Sequence, residues 1–130
     1  RVFQEAAPCG SLVSSGNQIL HNTIVEVSNG INLDRSTACP GAVDTIVRDN
    51  VISQFRNTEY VGLSVWPYRG PDQSRTTFDH NLVSSSLTGG VHAFVGTSYY
   101  SMNSLPSTIV KSHNISSTPV FANASARDYR

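Results

Sequence analysis

The sequence predicts an all-β fold: a right-handed parallel β-helix, a solenoid of about four coils with long loops on one side. Three observations predict it. A short asparagine-bearing segment recurs, with its asparagines at positions 22, 50, 81 and 114, at intervals of 28, 31 and 33 residues. Between these segments lie shorter ones in which a glycine is followed by strict apolar alternation. Stretches with the i, i+3, i+4 apolar spacing of a helix are missing, and Gly, Pro and Asn interrupt every segment. A repeat of this length is the signature of stacked architectures.

The recurring segments read Ile19-Leu20-His21-Asn22-Thr23-Ile24, Val47-Arg48-Asp49-Asn50-Val51-Ile52, Phe78-Asp79-His80-Asn81-Leu82-Val83 and Val110-Lys111-Ser112-His113-Asn114-Ile115. Each gives an apolar residue, a corner containing Asn, and further apolar residues. A β-sandwich also uses short strands, but it has no need of one bend at one corner of every repeat. Stacked parallel coils do need it. Asn tolerates the left-handed backbone of a tight corner, and its amide can bond to the Asn one coil above and below. Asn22, Asn50, Asn81 and Asn114 are therefore expected to form a structural column.

The glycine-led segments are Gly30-Ile31-Asn32-Leu33-Asp34, Gly62-Leu63-Ser64-Val65-Trp66 and Gly90-Val91-His92-Ala93-Phe94. Alternation of period two marks a strand with one buried face. Aligned on their glycines, they send Ile31, Leu33, Leu63, Val65, Val91 and Ala93 inward. Asn32, Ser64 and His92 then form one outward column, and Asp34, Trp66 and Phe94 the next. Arg35, Tyr68-Arg69 and Tyr99-Tyr100 follow in the loops.

Cys9 and Cys39 are 30 residues apart, about one repeat, and each lies in the loop before an Asn-bearing strand. Adjacent strands are about 4.8 Å apart and a disulfide spans Cα atoms about 4.4–6.8 Å apart, so a Cys9–Cys39 bond stapling two successive loops is expected. Such a bond belongs to an oxidising compartment.

Composition narrows the function classes. Formal net charge is zero, only 14% of residues are charged, and Lys111 is the sole lysine. No basic footprint for nucleic acid exists, and no apolar run is long enough to span a bilayer. Arg1-Val2-Phe3 opens the chain without a leader pattern, which a processed chain would share. The expected organisation is a single domain over residues 1–130, a fragment or processed piece of a longer β-helix, with 118–130 following the last coil.

On these repeats the chain resembles the right-handed parallel β-helix repeat superfamily, which includes pectate lyases and many secreted bacterial surface proteins. The resemblance covers about Val2 to Phe121. It implies a secreted or cell-surface location and a polysaccharide partner. The ending from Thr118 to Arg130 looks like the segment after the last coil in such proteins, without the Ser-Pro-Ala-Ile-Asp stretch that usually continues it. Neither end shows an obvious cap, so another chain or a second copy is expected to cover the open ends.

The candidate binding face gathers Trp66, Phe94, His92, Tyr68, Tyr99, Tyr100 and Asp34. Aromatic rings beside hydrogen-bonding groups suit a sugar, whose C–H face stacks while its hydroxyls bond. Lyases of this fold act on uronate polymers and need a neutralised carboxylate, a base and an acid. Arg69 or Arg35 could neutralise, His92 could take the proton, and Tyr68 or Tyr99 could meet the leaving oxygen. Any three-sided solenoid with a few polar residues offers such a set, so the catalytic residues stay open. Calcium would be held by clustered carboxylates. Here Glu26, Asp34, Asp44, Asp49, Glu59 and Asp72 are scattered, and no cofactor is expected. Asp34 stands alone, so no carboxylate pair for hydrolysis is formed.

His21, Asp49, His80 and His113 form a column beside the asparagines. They are read as capping exposed corners, with no metal site expected. Asp79-His80-Asn81 superficially resembles a pectate lyase strand, but the accompanying arginines are not in matching places, and no role is carried over. Asn114-Ile115-Ser116 and Asn123-Ala124-Ser125 are glycosylation sequons, of which Asn123 is the candidate. Three readings result: a polysaccharide-binding module, a polysaccharide lyase or part of one, and a structural subunit stacking end to end.

Overall fold

The computed structural model describes residues 15–27, 30–33, 44–53, 63–65, 76–84, 93–95, 98–107 and 109–129. Among these the fold is all-β, with two 3₁₀ turns, Met102–Ser104 and Ala124–Ala126, and no α-helix. Three short strands fall in each of the first three repeats: β1 (Gln18–Leu20), β2 (Thr23–Val25) and β3 (Ile31–Leu33); β4 (Ile46–Arg48), β5 (Val51–Ser53) and β6 (Leu63–Val65); β7 (Thr77–Asp79), β8 (Leu82–Val83) and β9 (Ala93–Val95). Then come β10 (Ser98–Tyr100) and β11 (Val110–Ser112).

Each strand pairs with its counterpart in the next repeat. One sheet runs β1-β4-β7-β11 and a second β2-β5-β8, both wholly parallel. The third runs β3-β6-β9, also parallel, and ends in β10, which lies antiparallel on β9. Ile19, Val47, Phe78 and Lys111 share one register position, so the displacement from strand to strand equals the asparagine spacing.

Strand alternation buries one face of each sheet in a common core. Val47, Phe78, Ile52, Val83 and Ala93 are fully buried, and Ile31, Leu33 and Val95 nearly so. Removing such a side chain from water stabilises the fold by about 1.5–3 kcal/mol each.

The asparagine column forms as expected. Asn22 N–H and Nδ2 both donate to Asn50 Oδ1, Asn50 donates likewise to Asn81, and Asn81 to Asn114, all at 2.9–3.1 Å. Each interior amide also bonds to a carbonyl two residues before it and to one in the preceding repeat, as Asn81 Nδ2 does to Asp79 and Val47. Asn50 and Asn81 are 1% exposed, so the column satisfies corner groups that water cannot reach.

The left-handed backbone lies one residue earlier than expected. His21, Asp49, His80 and His113 take φ of 55°, 57°, 51° and 49°, while the asparagines do not have positive φ. The division of labour is physical: Asp and His can adopt the left-handed region, which leaves the Asn amide directed along the stack.

The third glycine-led strand is also in a different register. Ala93, Phe94 and Val95 pair with Leu63, Ser64 and Val65, so Phe94 takes the position of Asn32 and Ser64. The expected alignment on Gly90 is off by two residues. A slip of two keeps the same face inward, so alternation alone cannot choose between the registers.

The fourth repeat is part buried and part exposed, with Val110 and Ile115 57% and 56% exposed. Met102, Leu105 and Ile109 are each 3% exposed and join the core. Lys111, at the inward position of Ile19, Val47 and Phe78, turns its ammonium onto the carbonyls of Leu105 and Asn103 at 2.5 and 3.2 Å. Residues after 118 continue into the Ala124–Ala126 turn, where Asn123 Oδ1 accepts from Ala126 N–H. Cys9 and Cys39 lie outside the described residues.

Candidate functional site

Two surfaces carry chemistry. The first is the edge of the third sheet. Asn32, Ser64, Phe94 and Tyr99 occupy one row across β3, β6, β9 and β10, because Tyr99 pairs with Phe94. Tyr99 is 57% exposed. Tyr100, opposite Ala93, packs half-buried against the core. Tyr99 therefore stands on the candidate binding face, and Tyr100 serves packing. Asp34, Trp66, Tyr68, Arg69 and His92 lie outside the described residues, as does Arg35.

The second surface is the corner beside the asparagine column. The residue before each left-handed position forms a register row: Leu20, Arg48, Asp79 and Ser112. Arg48 Nε donates to Asp79 Oδ2 at 3.1 Å. On the other carboxylate oxygen, His80 Nδ1 lies 2.9 Å and His113 Nδ1 3.7 Å from Oδ1. The two imidazoles stack, with centroids 4.5 Å apart and planes at 24°. The Ser112 hydroxyl contacts His113 Nδ1.

Asp79 is only 8% exposed, whereas His80 and His113 stand out into solvent. Its Oδ1 is fully buried, and no donor meets it in good hydrogen-bond geometry despite the short approach of His80. The His80 imidazole is the largest influence holding the Asp79 carboxyl below its ordinary value. Burial pushes the other way, and the charges of His80 and Arg48 and the Ser112 hydroxyl add to the lowering. Asp79 thus has the Arg48 guanidinium on one carboxylate oxygen and two imidazoles facing the other. An open cleft of about 210 Å³ lies on the His113 side of this corner, lined by Met102, Asn103, Lys111, Ser112, His113 and Asn114.

One ligand atom each from Asp79, His80 and His113 lies within 4.8 Å of the others. The sequence column of His21, Asp49, His80 and His113 does not include Asp79 or Arg48, which the structure brings beside it. The signal was present in the neighbouring row, where Arg, Asp and Ser occupy one outward position in successive repeats. Asn123 is exposed, and its Oδ1 also accepts from the Ser125 hydroxyl.

Protein-family models give no match to the chain, and neither curated proteins nor solved structures give one.

Proposed function

We propose that the chain is a right-handed parallel β-helix module, secreted or displayed at a cell surface, that binds polysaccharide along its third sheet. Three parallel strand ladders that advance together by one repeat support the winding. Parallel crossovers are right-handed in about 98% of cases, which supports the hand.

The observation that carries the binding reading is the row Asn32–Ser64–Phe94–Tyr99, which ends in an exposed tyrosine. Four adjacent strands set these positions over roughly 14 Å, a span suited to a sugar chain lying across the strands. The row runs from Asn and Ser to Phe and Tyr in sequence, residue types that hydrogen-bond to and stack on a sugar. Trp66, Tyr68, His92 and Asp34 neighbour this row in sequence and belong to the same proposal. End-to-end stacking is the second reading; the observation against it is Lys111, a polar residue at the register position that Val47 and Phe78 fill in the core.

Affinity electrophoresis in gels containing neutral and uronate polysaccharides tests this. Retardation should occur with at least one polymer and fall by roughly tenfold in affinity in Tyr99→Ala, the loss of one aromatic stacking contact. Absence of retardation across the panel, or retardation unchanged by Tyr99→Ala, sinks the reading. A rise in unsaturated-product absorbance with a uronate polymer would turn the module into a lyase.

A further inference from the structure

We propose that Asp79, His80 and His113 bind a divalent transition-metal ion of the zinc class, tying the fourth repeat to the third. This corner is separate from the sugar-binding row, so the two proposals stand or fall independently.

The buried oxygen carries the argument. A buried carboxylate oxygen met only by a poorly aligned imidazole contact is under-satisfied, and natural structures satisfy such groups. Asp79 Oδ2 is committed to Arg48, while Oδ1 has no aligned donor although two imidazole nitrogens face it. An ion among the three groups would satisfy Oδ1 directly.

The distances suit that ion. Tetrahedral ligands bonded to zinc at about 2.0–2.2 Å lie about 3.3–3.6 Å from one another. The separations from Oδ1 to the His80 and His113 nitrogens are 2.9 and 3.7 Å, and the ligand atoms of all three residues lie within 4.8 Å of one another, a set that small side-chain rotations would draw onto one ion. Two imidazoles and one carboxylate are a donor set for zinc, nickel or copper. Calcium would want six or more oxygens, and magnesium an octahedron of them.

The fold supplies the preorganisation. Left-handed backbone at both His80 and His113 gives the two side chains the same departure from the stack, one repeat apart. Packing and Arg48 fix Asp79 beneath them. The Ser112 hydroxyl holds His113 Nδ1 and would release it to the ion. The side chains of His80 and His113 are 53% and 71% exposed, so the outward coordination positions are open to water.

The test titrates the chain with Co²⁺, a spectroscopic stand-in for zinc, and follows the histidine ring resonances by NMR during a Zn²⁺ titration. We expect saturable binding of one equivalent, with visible Co²⁺ bands and shifts at His80 and His113 but not at His21. His113→Gln and His80→Gln should each abolish the bands, and His21→Gln should leave them unchanged. Zn²⁺ should raise the thermal midpoint of the unsubstituted chain and not that of His113→Gln. Both substitutions are at exposed side chains, and circular dichroism verifies that the variants fold. No saturable Co²⁺ binding at millimolar metal, or binding that survives both His113→Gln and His80→Gln, overturns the proposal.

Discussion

Tyr129 donates its hydroxyl to Glu26 Oε1 at 2.5 Å, joining residues 103 apart in the chain. Glu26 follows β2 in the first repeat, and Tyr129 follows the last. Arg127 adds its charge, with Nε 3.7 Å from Glu26 Oε2, and Phe121 meets the Tyr129 ring edge-on at 5.1 Å. The closing segment therefore returns along the repeats and straps the last to the first.

Loss of that strap should be felt at the far end. Tyr129→Phe removes the hydrogen bond to a charged acceptor and should lower stability by about 1–2 kcal/mol in urea unfolding. Amide exchange at Thr23–Val25 should accelerate in the same variant. Unchanged exchange there would show that the contact holds nothing in place.

The asparagines should differ sharply by position. Asn81→Ala leaves the Asn50 N–H and the Val47 carbonyl without their side-chain partner in a corner that is 1% exposed. Its cost should be about 3 kcal/mol or more, from two or more buried groups left unmet. Asn22 is exposed, and its Oδ1 accepts from no described residue, so Asn22→Ala should cost about 1 kcal/mol or less. Equal unfolding midpoints for the two variants would contradict a cooperative column.

The left-handed corners should discriminate by side-chain shape. Asp49 has φ of 57° and an exposed side chain. Asp49→Val should cost about 1–2 kcal/mol, because a β-branched residue clashes in this region, whereas Asp49→Asn should be close to neutral. Thermal midpoints of the two variants provide the measurement.

Acid should weaken the third corner through Asp79. Its folded-state value is lowered, so its contribution is complete above the unfolded value of about 3.9 and is lost as pH falls through the folded value. With a chelator present throughout, urea midpoints measured from neutral pH downward should decline in that acid window. Asp79→Asn should start lower at neutral pH and decline less. A parallel decline in both proteins would assign the acid sensitivity to other groups.

The asparagine column could be read from the sequence because one residue type recurs at one register, and each copy does the same work. The adjoining row of Leu20, Arg48, Asp79 and Ser112 has no such uniformity. Its chemistry arises only when unlike residues of successive repeats are set side by side, so no recurrence marks Asp79 in the sequence. Phe94 shows another limit: alternation fixes which face is buried, but a slip of two residues leaves that face intact. Lys111 shows a third, since nothing in its local pattern marks it as standing at the end of a core column. The left-handed corners were anticipated in kind and misplaced by one residue, because Asn, Asp and His all tolerate that backbone.

The asparagine column has a direction. From one asparagine to the next, Asn22, Asn50 and Asn81 each donate to the repeat that follows, and each side chain engages only its own repeat and the adjoining ones. A repeat with a left-handed residue followed by Asn is therefore an interchangeable part. Inserting or removing one would leave the bonds between the other asparagines in place, while the strap from Tyr129 to Glu26 would have to span a different number of repeats. Length, in such a protein, is an open variable for duplication and deletion to act on.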